Sequence, residues 1–137
     1  MDTYNSMCGI FALLNDNKDK IDPIITNSFL KGGKRGPEYS IIQKVYDKTI
    51  FGFHRLAING IDEGSHQPLQ VNDIQLIANG EIYNYKQLYE SLKIQKTTNS
   101  DCEIIIHCYL KYGIDYTLQL LDGVFSFILL DMKKQEL

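Results

Sequence analysis

Met7-Cys8-Gly9-Ile10-Phe11-Ala12-Leu13-Leu14 is the stretch on which the fold turns. A thiol stands directly before a glycine and an unbroken apolar run. The run from Ile10 to Leu14 reads as a short buried strand, and a thiol at the start of such a strand can be held rigidly. If the chain began at Cys8, its own α-amino group would lie beside the thiol. An α-amine has a reference pKa of roughly 7.7–8.0, so a useful fraction is neutral near pH 7. It could take the thiol proton and return it later, as general base and then general acid. A plainer reading competes: free cysteine is among the most buried residue types, and Cys8 could be a small core residue.

The 137 residues are the length of one ordinary domain, and 44% apolar content suits a globular core. The net charge is −3, with no basic stripe, so nucleic acid is not an expected partner. No apolar run approaches the ~20 residues of a membrane-spanning helix, and no membrane partner is expected. Met1 to Ser6 lacks the charged and apolar regions of a secretory signal. Cys8, Cys102 and Cys108 cannot all pair, and their spacing fits no zinc pattern. A reducing, cytoplasmic setting with no metal is the simplest expectation.

Outward from the first strand, Asn15 to Lys20 is a polar turn. Asp22 can cap a helix with Pro23 in its first position, running through Ile24, Ile25, Phe29 and Leu30 and stopped by Gly32-Gly33. Strands over 40–46 and 49–56 joined at Asp47-Lys48 predict an antiparallel hairpin. Ala57 to Leu69 reads as a long irregular loop, a kind that is often functional. Ile74 to Ala78 is a strand ended by Asn79-Gly80, and a short helix fits Tyr85 to Leu92. Ser100 and Glu103 have capping-box spacing before Ile104-Ile105-Ile106, with Gly113 placed to end that helix. Leu118, Leu120 and Leu121 suggest another helical turn. Gly123 to Asp131 is a final apolar strand, expected to be covered on both faces. Met132 to Leu137 reads as a turn toward a strand that is absent, so the chain is expected to be a piece ending inside a domain. Tight hairpins with few crossovers argue for antiparallel sheets with segregated helices, an α+β architecture.

Several residues could carry chemistry. Asn79-Gly80 sets a carboxamide donor beside a glycine N–H, a plausible oxyanion hole for acyl transfer; Asn-Gly is also the commonest hairpin dipeptide. Arg55, at a strand end, could hold a carboxylate through two parallel hydrogen bonds, or be a solvated charge. Glu81 and Asp101 could hold a ligand ammonium, although the helix dipole alone would account for a carboxylate at Asp101. Nothing in the pattern fixes His54, His66 or His107 near Cys8, and His107 reads as a packing residue. The glycines from Gly32 to Gly36 make no phosphate loop.

Seven stretches occur in a telling order: Met7-Cys8-Gly9-Ile10-Phe11, Arg35-Gly36-Pro37, Gly52-Phe53-His54-Arg55-Leu56-Ala57-Ile58, Gln67-Pro68-Leu69, Ala78-Asn79-Gly80-Glu81-Ile82-Tyr83-Asn84-Tyr85, Ser100-Asp101-Cys102-Glu103 and Leu121-Asp122-Gly123-Val124-Phe125-Ser126-Phe127. Together they resemble the glutaminase domain of glutamine-hydrolysing asparagine synthetases, a class II glutamine amidotransferase, from Met7 to about Asp131. The resemblance implies an N-terminal-nucleophile hydrolase fold, an αββα sandwich of two antiparallel sheets between helical layers, here truncated at its C-terminal end. It implies hydrolysis of L-glutamine to glutamate and ammonia through a thioester on Cys8. Arg55 would hold the α-carboxylate, helped by the backbone of Leu56, Ala57, Ile58 and Asn59. Glu81 and Asp101 would hold the α-ammonium, and Asn79 with the Gly80 N–H would form the oxyanion hole.

The resemblance also implies a C-terminal synthetase domain as partner, using ATP and Mg2+ to turn aspartate into asparagine, and leaves room for a homodimer in the full-length form. This chain lacks that domain and its Ser-Gly-Gly-x-Asp-Ser loop, so no cofactor is expected here. Two further departures stand out. Met1 to Met7 precede Cys8, whereas the family's cysteine becomes the first residue, and Glu38 stands where the family commonly has Asp. Residues 1–7 thus read as a leader that the active form could lack, and 8–137 as an incomplete amidotransferase domain that could be inactive on its own. The rival expectation is a catalytically silent glutamine-binding or assembly domain of the same fold, with Cys8 blocked by the leader. A sugar-phosphate aminating amidotransferase fits the motifs less well.

Overall fold

The computed structural model describes residues 8–56 and 66–137. The leader, and Ala57, Ile58 and Asn59 of the expected carboxylate-binding backbone, lie outside the described residues. The chain divides into two units, Met1–Ala57 and Ile58–Leu137.

In the first unit the apolar run after Cys8 forms β1 (Gly9–Leu14). Asp22 caps α1 (Pro23–Leu30) as expected, its side chain accepting from the Ile25 N–H at 2.9 Å. A 3-10 turn over Gly33–Arg35 leads to β2 (Tyr39–Tyr46) and β3 (Thr49–Arg55). The sheet is antiparallel in the order β1-β3-β2. β3 is central and buried throughout, and its composition is apolar on both faces except at Thr49, His54 and Arg55. The hairpin turns at Asp47-Lys48, with Lys48 in the left-handed region at φ 55°.

His54 ties helix to sheet. Its ring stacks on Phe29, centroids 4.0 Å apart. Nε2 donates to the Phe29 carbonyl at 2.9 Å, which leaves Nδ1 to accept from the Ser40 hydroxyl at 2.7 Å. Gly36 is required by close approach: a Cβ there would lie 2.4 Å from the carbonyl oxygen of His54 and from the carbonyl carbon of Arg55. Arg35-Gly36-Pro37 is thereby laid against the end of β3.

The second unit holds β4 (Leu69–Val71), β5 (Ile74–Ile82), α2 (Tyr85–Leu92), α3 (Glu103–Tyr112), α4 (Ile114–Leu120) and β6 (Gly123–Asp131). Its antiparallel sheet runs β4-β5-β6. Leu76, Ala78 and Ile82 of β5 pack with Leu88 and Leu92 of α2 and with Ile104 and Cys108 of α3 in one core. Two antiparallel sheets with separate helices make the chain α+β.

Four expectations are corrected here. Asn79-Gly80 does not end a strand: β5 continues to Ile82, with Asn79 paired to Ser126 and Gly80 to Phe125. The nine-residue ladder with β6 overrides the local turn preference of Asn-Gly. Strand β4, too short for a periodic signal, begins at Leu69, the last residue of the expected loop; residues 57–65 of that loop lie outside the described residues. The capping box is absent, for α3 begins at Glu103 with Cys102 as its N-cap. The Glu103 carboxylate instead accepts from the Thr97 N–H and hydroxyl, each at 2.9 Å, and from the Thr98 N–H at 2.6 Å, while the Ser100 hydroxyl accepts from the Cys102 N–H. Asp101 therefore lies before the helix, not in its first turn. Finally, β6 is not covered on both faces, since Val124 is 60% exposed.

Candidate active site

In the first unit Cys8 sits immediately before β1 and is half-buried. The β1–β3 ladder pairs Gly9 with His54, and one step further Cys8 falls across from Arg55. The Cys8 sulfur is bracketed by the residue that follows β3: the Leu56 N–H donates to Sγ at 3.4 Å, and the thiol donates to the Leu56 carbonyl at 3.5 Å. Arg35 Nε donates to the Cys8 carbonyl at 3.4 Å. Thiol and main chain of Cys8 are thus both held. His54 cannot serve as its base in this arrangement, because both ring nitrogens are committed to Phe29 and Ser40. Arg55 is 6% exposed, so the reading of a solvated strand-end charge does not hold.

In the second unit the alternation of β5 sorts the other candidates. Ala78 and Ile82 face the helical core, so Asn79 and Glu81 share the opposite face, Asn79 half-buried and Glu81 exposed. Gly80 lies between them at φ 150°. A Cβ at Gly80 would lie 2.1 Å from the Val124 carbonyl oxygen, so only glycine fits against β6. Asp101 Oδ2 accepts from the Ile82 N–H at 2.6 Å. Burial pushes the Asp101 carboxyl above its usual range, the Ile82 N–H opposes this, and nearby Glu81 adds to the rise. Asp101 and Glu81 are therefore two acids whose charges repel, and a cation between them would relieve both.

Sequence reading passed over three features. Gln67, quoted above only as part of a motif, donates from Nε2 to the Ala78 carbonyl at 3.0 Å and accepts at Oε1 from the Ala78 N–H at 2.5 Å. Glu103 is fully buried. Burial would raise its pKa, but hydrogen bonds from His107, Thr98 and Thr97 outweigh that and hold it at about 2. His107, expected as a packing residue, is the partner at 2.9 Å that makes this possible. Both features are tertiary and leave no periodic trace; an acid followed by His at i+4 was the available clue for the third. Cys108 is buried and its thiol is pushed up to about 11, which leaves it unreactive. Among the described residues no group of three His, Cys, Asp or Glu could hold a metal ion, and no helix is long and apolar enough to cross a membrane. A cavity of about 600 Å³ between α4 and β6 includes none of the candidate site residues.

In the first unit, then, a half-buried thiol is held by backbone groups close to a buried arginine, and in the second an Asn-Gly is fixed within a strand. The chain belongs to the glutamine amidotransferase domain family, whose model matches residues 7–137. Among curated relatives it is similar to glutamine-hydrolysing asparagine synthetase. It is 43% identical to that of Mesocricetus auratus over 130 residues, which covers 91% of this chain and 23% of the relative. It is 41% identical to that of Homo sapiens over 130 residues and to that of Gallus gallus over 131, with the same coverage. The chain spans about a quarter of the length of these relatives.

Proposed function

We propose that this chain hydrolyses L-glutamine to glutamate and ammonia through a thioester on Cys8, and that the ammonia serves ATP-dependent conversion of aspartate to asparagine in a synthetase region outside this chain. The observation that carries the reading is the bracketing of the Cys8 sulfur by the Leu56 N–H and carbonyl, which supports a thiol prepared for reaction over a mere core cysteine. In the active form residues 1–7 are a leader that has been removed, and residues 8–137 belong to an amidotransferase domain of the N-terminal-nucleophile type, with the αββα layering.

The steps follow from the residue chemistry. The Cys8 α-amine takes the thiol proton, and the sulfur attacks the side-chain amide carbon of glutamine. The C–S bond forms as the carbonyl electrons move to oxygen, and the Asn79 carboxamide with the Gly80 N–H stabilises that oxyanion. The intermediate collapses with cleavage of the C–N bond, and the protonated α-amine gives its proton to the departing ammonia. Water, deprotonated by the same amine, then attacks the thioester. The C–S bond breaks, glutamate leaves, and the sulfur recovers its proton. Arg55 holds the α-carboxylate, with the Leu56–Asn59 backbone in support, and Glu81 with Asp101 holds the α-ammonium. An amino-acid zwitterion needs this mixture of charges. ATP and Mg2+ belong to the synthetase region on this reading.

The test is Cys8→Ala in the full-length protein. Glutamine-dependent synthesis of asparagine should vanish while ammonia-dependent synthesis persists. Glutamine-dependent synthesis that survives the substitution contradicts the proposal.

A further inference from the structure

We propose that Gln67 is a positioning residue for the oxyanion hole: its side-chain amide closes the edge of β5 at Ala78 and thereby sets the attitude of Asn79 and Gly80. The proposal rests on the glutaminase reading above.

β4 pairs with β5 only from Leu69↔Leu76 to Val71↔Ile74. Continuing that register by two residues sets Gln67 opposite Ala78. No β4 residue pairs there through its main chain, yet the Ala78 N–H and carbonyl are both satisfied, because the Gln67 carboxamide bonds to each of them, at 2.5 and 3.0 Å. A primary amide carries one donor and one acceptor on the same edge, as a strand residue presents its own N–H and C=O to one side, so it can stand in for a strand partner. Gln67 is 7% exposed and Ala78 is 1% exposed, so these groups would be costly to leave unpaired.

The position of the clamp is what gives it a role. Backbone groups of a strand alternate in direction. Ala78 bonds away from β6, so Asn79 bonds toward β6, opposite Ser126, and Gly80 points away again, past the last position that Gln67 covers. Two residues on, the Ile82 N–H is taken by Asp101 on that same side. The Gly80 N–H therefore lies between two fixed points, the Gln67 amide and the Asp101 carboxylate. The clamp holds the peptide that leads directly into Asn79. Losing it would let the Ala78–Gly80 backbone rotate about its ladder with β6, moving the carboxamide and the N–H together relative to the reacting carbon. Shifts of about 1 Å in such groups cost up to about 10²-fold in rate.

The informative variant is Gln67→Met, which fills the same volume and forms neither hydrogen bond. It is compared with Asn79→Ala in the full-length protein. Glutamine hydrolysis gives kcat and KM. Binding of the γ-aldehyde analogue of glutamine reports on the oxyanion hole, because the thiol adds across its carbonyl and leaves an oxygen where the oxyanion forms. Binding of glutamate, which forms no adduct, reports on the rest of the site. Gln67→Met should lower kcat and aldehyde affinity by about 10–100-fold, with KM and glutamate affinity changed less than about twofold. A normal kcat in Gln67→Met beside an impaired Asn79→Ala overturns the proposal alone. Equal losses for aldehyde and glutamate also overturn it, since they mark a general structural fault. If Asn79→Ala is itself normal, the oxyanion reading fails and takes the proposal with it. Should Gln67→Met not fold, Gln67→Glu decides: it keeps the bond from the Ala78 N–H and loses the one to the carbonyl. A lower kcat at constant KM supports the proposal, and an unchanged kcat overturns it.

Discussion

Glu103→Gln should destabilise the protein by about 3 kcal/mol at neutral pH and flatten its acid sensitivity. The buried Glu103 carboxylate accepts from the Thr97 N–H, the Thr97 hydroxyl, the Thr98 N–H and His107 Nε2. A carboxamide of the same shape offers one acceptor oxygen and would turn its NH2 toward donors. The fall in pKa from 4.5 to about 2 corresponds to about 3 kcal/mol, at roughly 1.4 kcal/mol per pKa unit. The sign follows from the depressed pKa: this stabilisation is fully present above 4.5 and is lost as pH falls toward 2. Urea unfolding of wild type and variant at pH 7, 4.5 and 3 measures the effect. The gap should be largest at pH 7, persist at 4.5 and shrink at 3, where the unfolded chain's carboxylate has taken up its proton while the folded one still resists it. A gap below about 0.5 kcal/mol, or one independent of pH, would refute the claim that this buried charge anchors the start of α3.

Three further predictions concern glutamine turnover. Arg55→Ala should weaken glutamine binding by roughly 2–5 kcal/mol, as expected for removing one partner of a buried charge pair, while ammonia-dependent synthesis survives; an unchanged glutamine KM removes Arg55 from the site. Asn79→Ala should lower kcat for hydrolysis by about 10²–10³, the usual effect of losing one oxyanion donor, and a normal rate would leave Asn79 as a mere ladder residue. Because burial raises the Asp101 pKa above 3.8, glutamine KM should climb on acidification from a higher pH than an ordinary carboxylate would set, as Asp101 is neutralised and loses its hold on the ammonium. Asp101→Asn should raise KM at neutral pH and suppress that climb, and a steady-state pH profile matching wild type would exclude Asp101 from ammonium binding.

Much of the fold was legible because its signals are local. Asp22-Pro23 sets the start of α1, Gly113 the end of α3, and the apolar run from Gly123 gives β6 its full extent. What escaped was decided across the sheet. Asn79-Gly80 carries a turn preference that only the ladder with β6 reverses. Glu103 has the spacing of a capping residue, yet its burial draws it to Thr97 and Thr98. The candidate site follows the same division. Cys8, Arg55, Asn79, Glu81 and Asp101 stand out by residue type, although Asn79 and Glu81 lie inside β5. The contacts that hold them, from Leu56, Arg35 and Gln67, join residues far apart in sequence or replace main chain by side chain, and no periodicity announces them.

On the proposed mechanism Cys8 is a nucleophile whose own α-amine moves the proton. With Met7 attached that nitrogen is an amide, which has no basic lone pair near neutral pH. Translation from Met7 followed by removal of the methionine, or cleavage of the leader, would expose Cys8. The direct measurement compares two forms of the full-length protein by intact mass after exposure to an electrophilic glutamine analogue, one form retaining Met1 to Met7 and the other beginning at Cys8. The account predicts one adduct on Cys8 in the second form and none in the first. Equal labelling of Cys8 in both forms would contradict it and assign the proton transfer to another base.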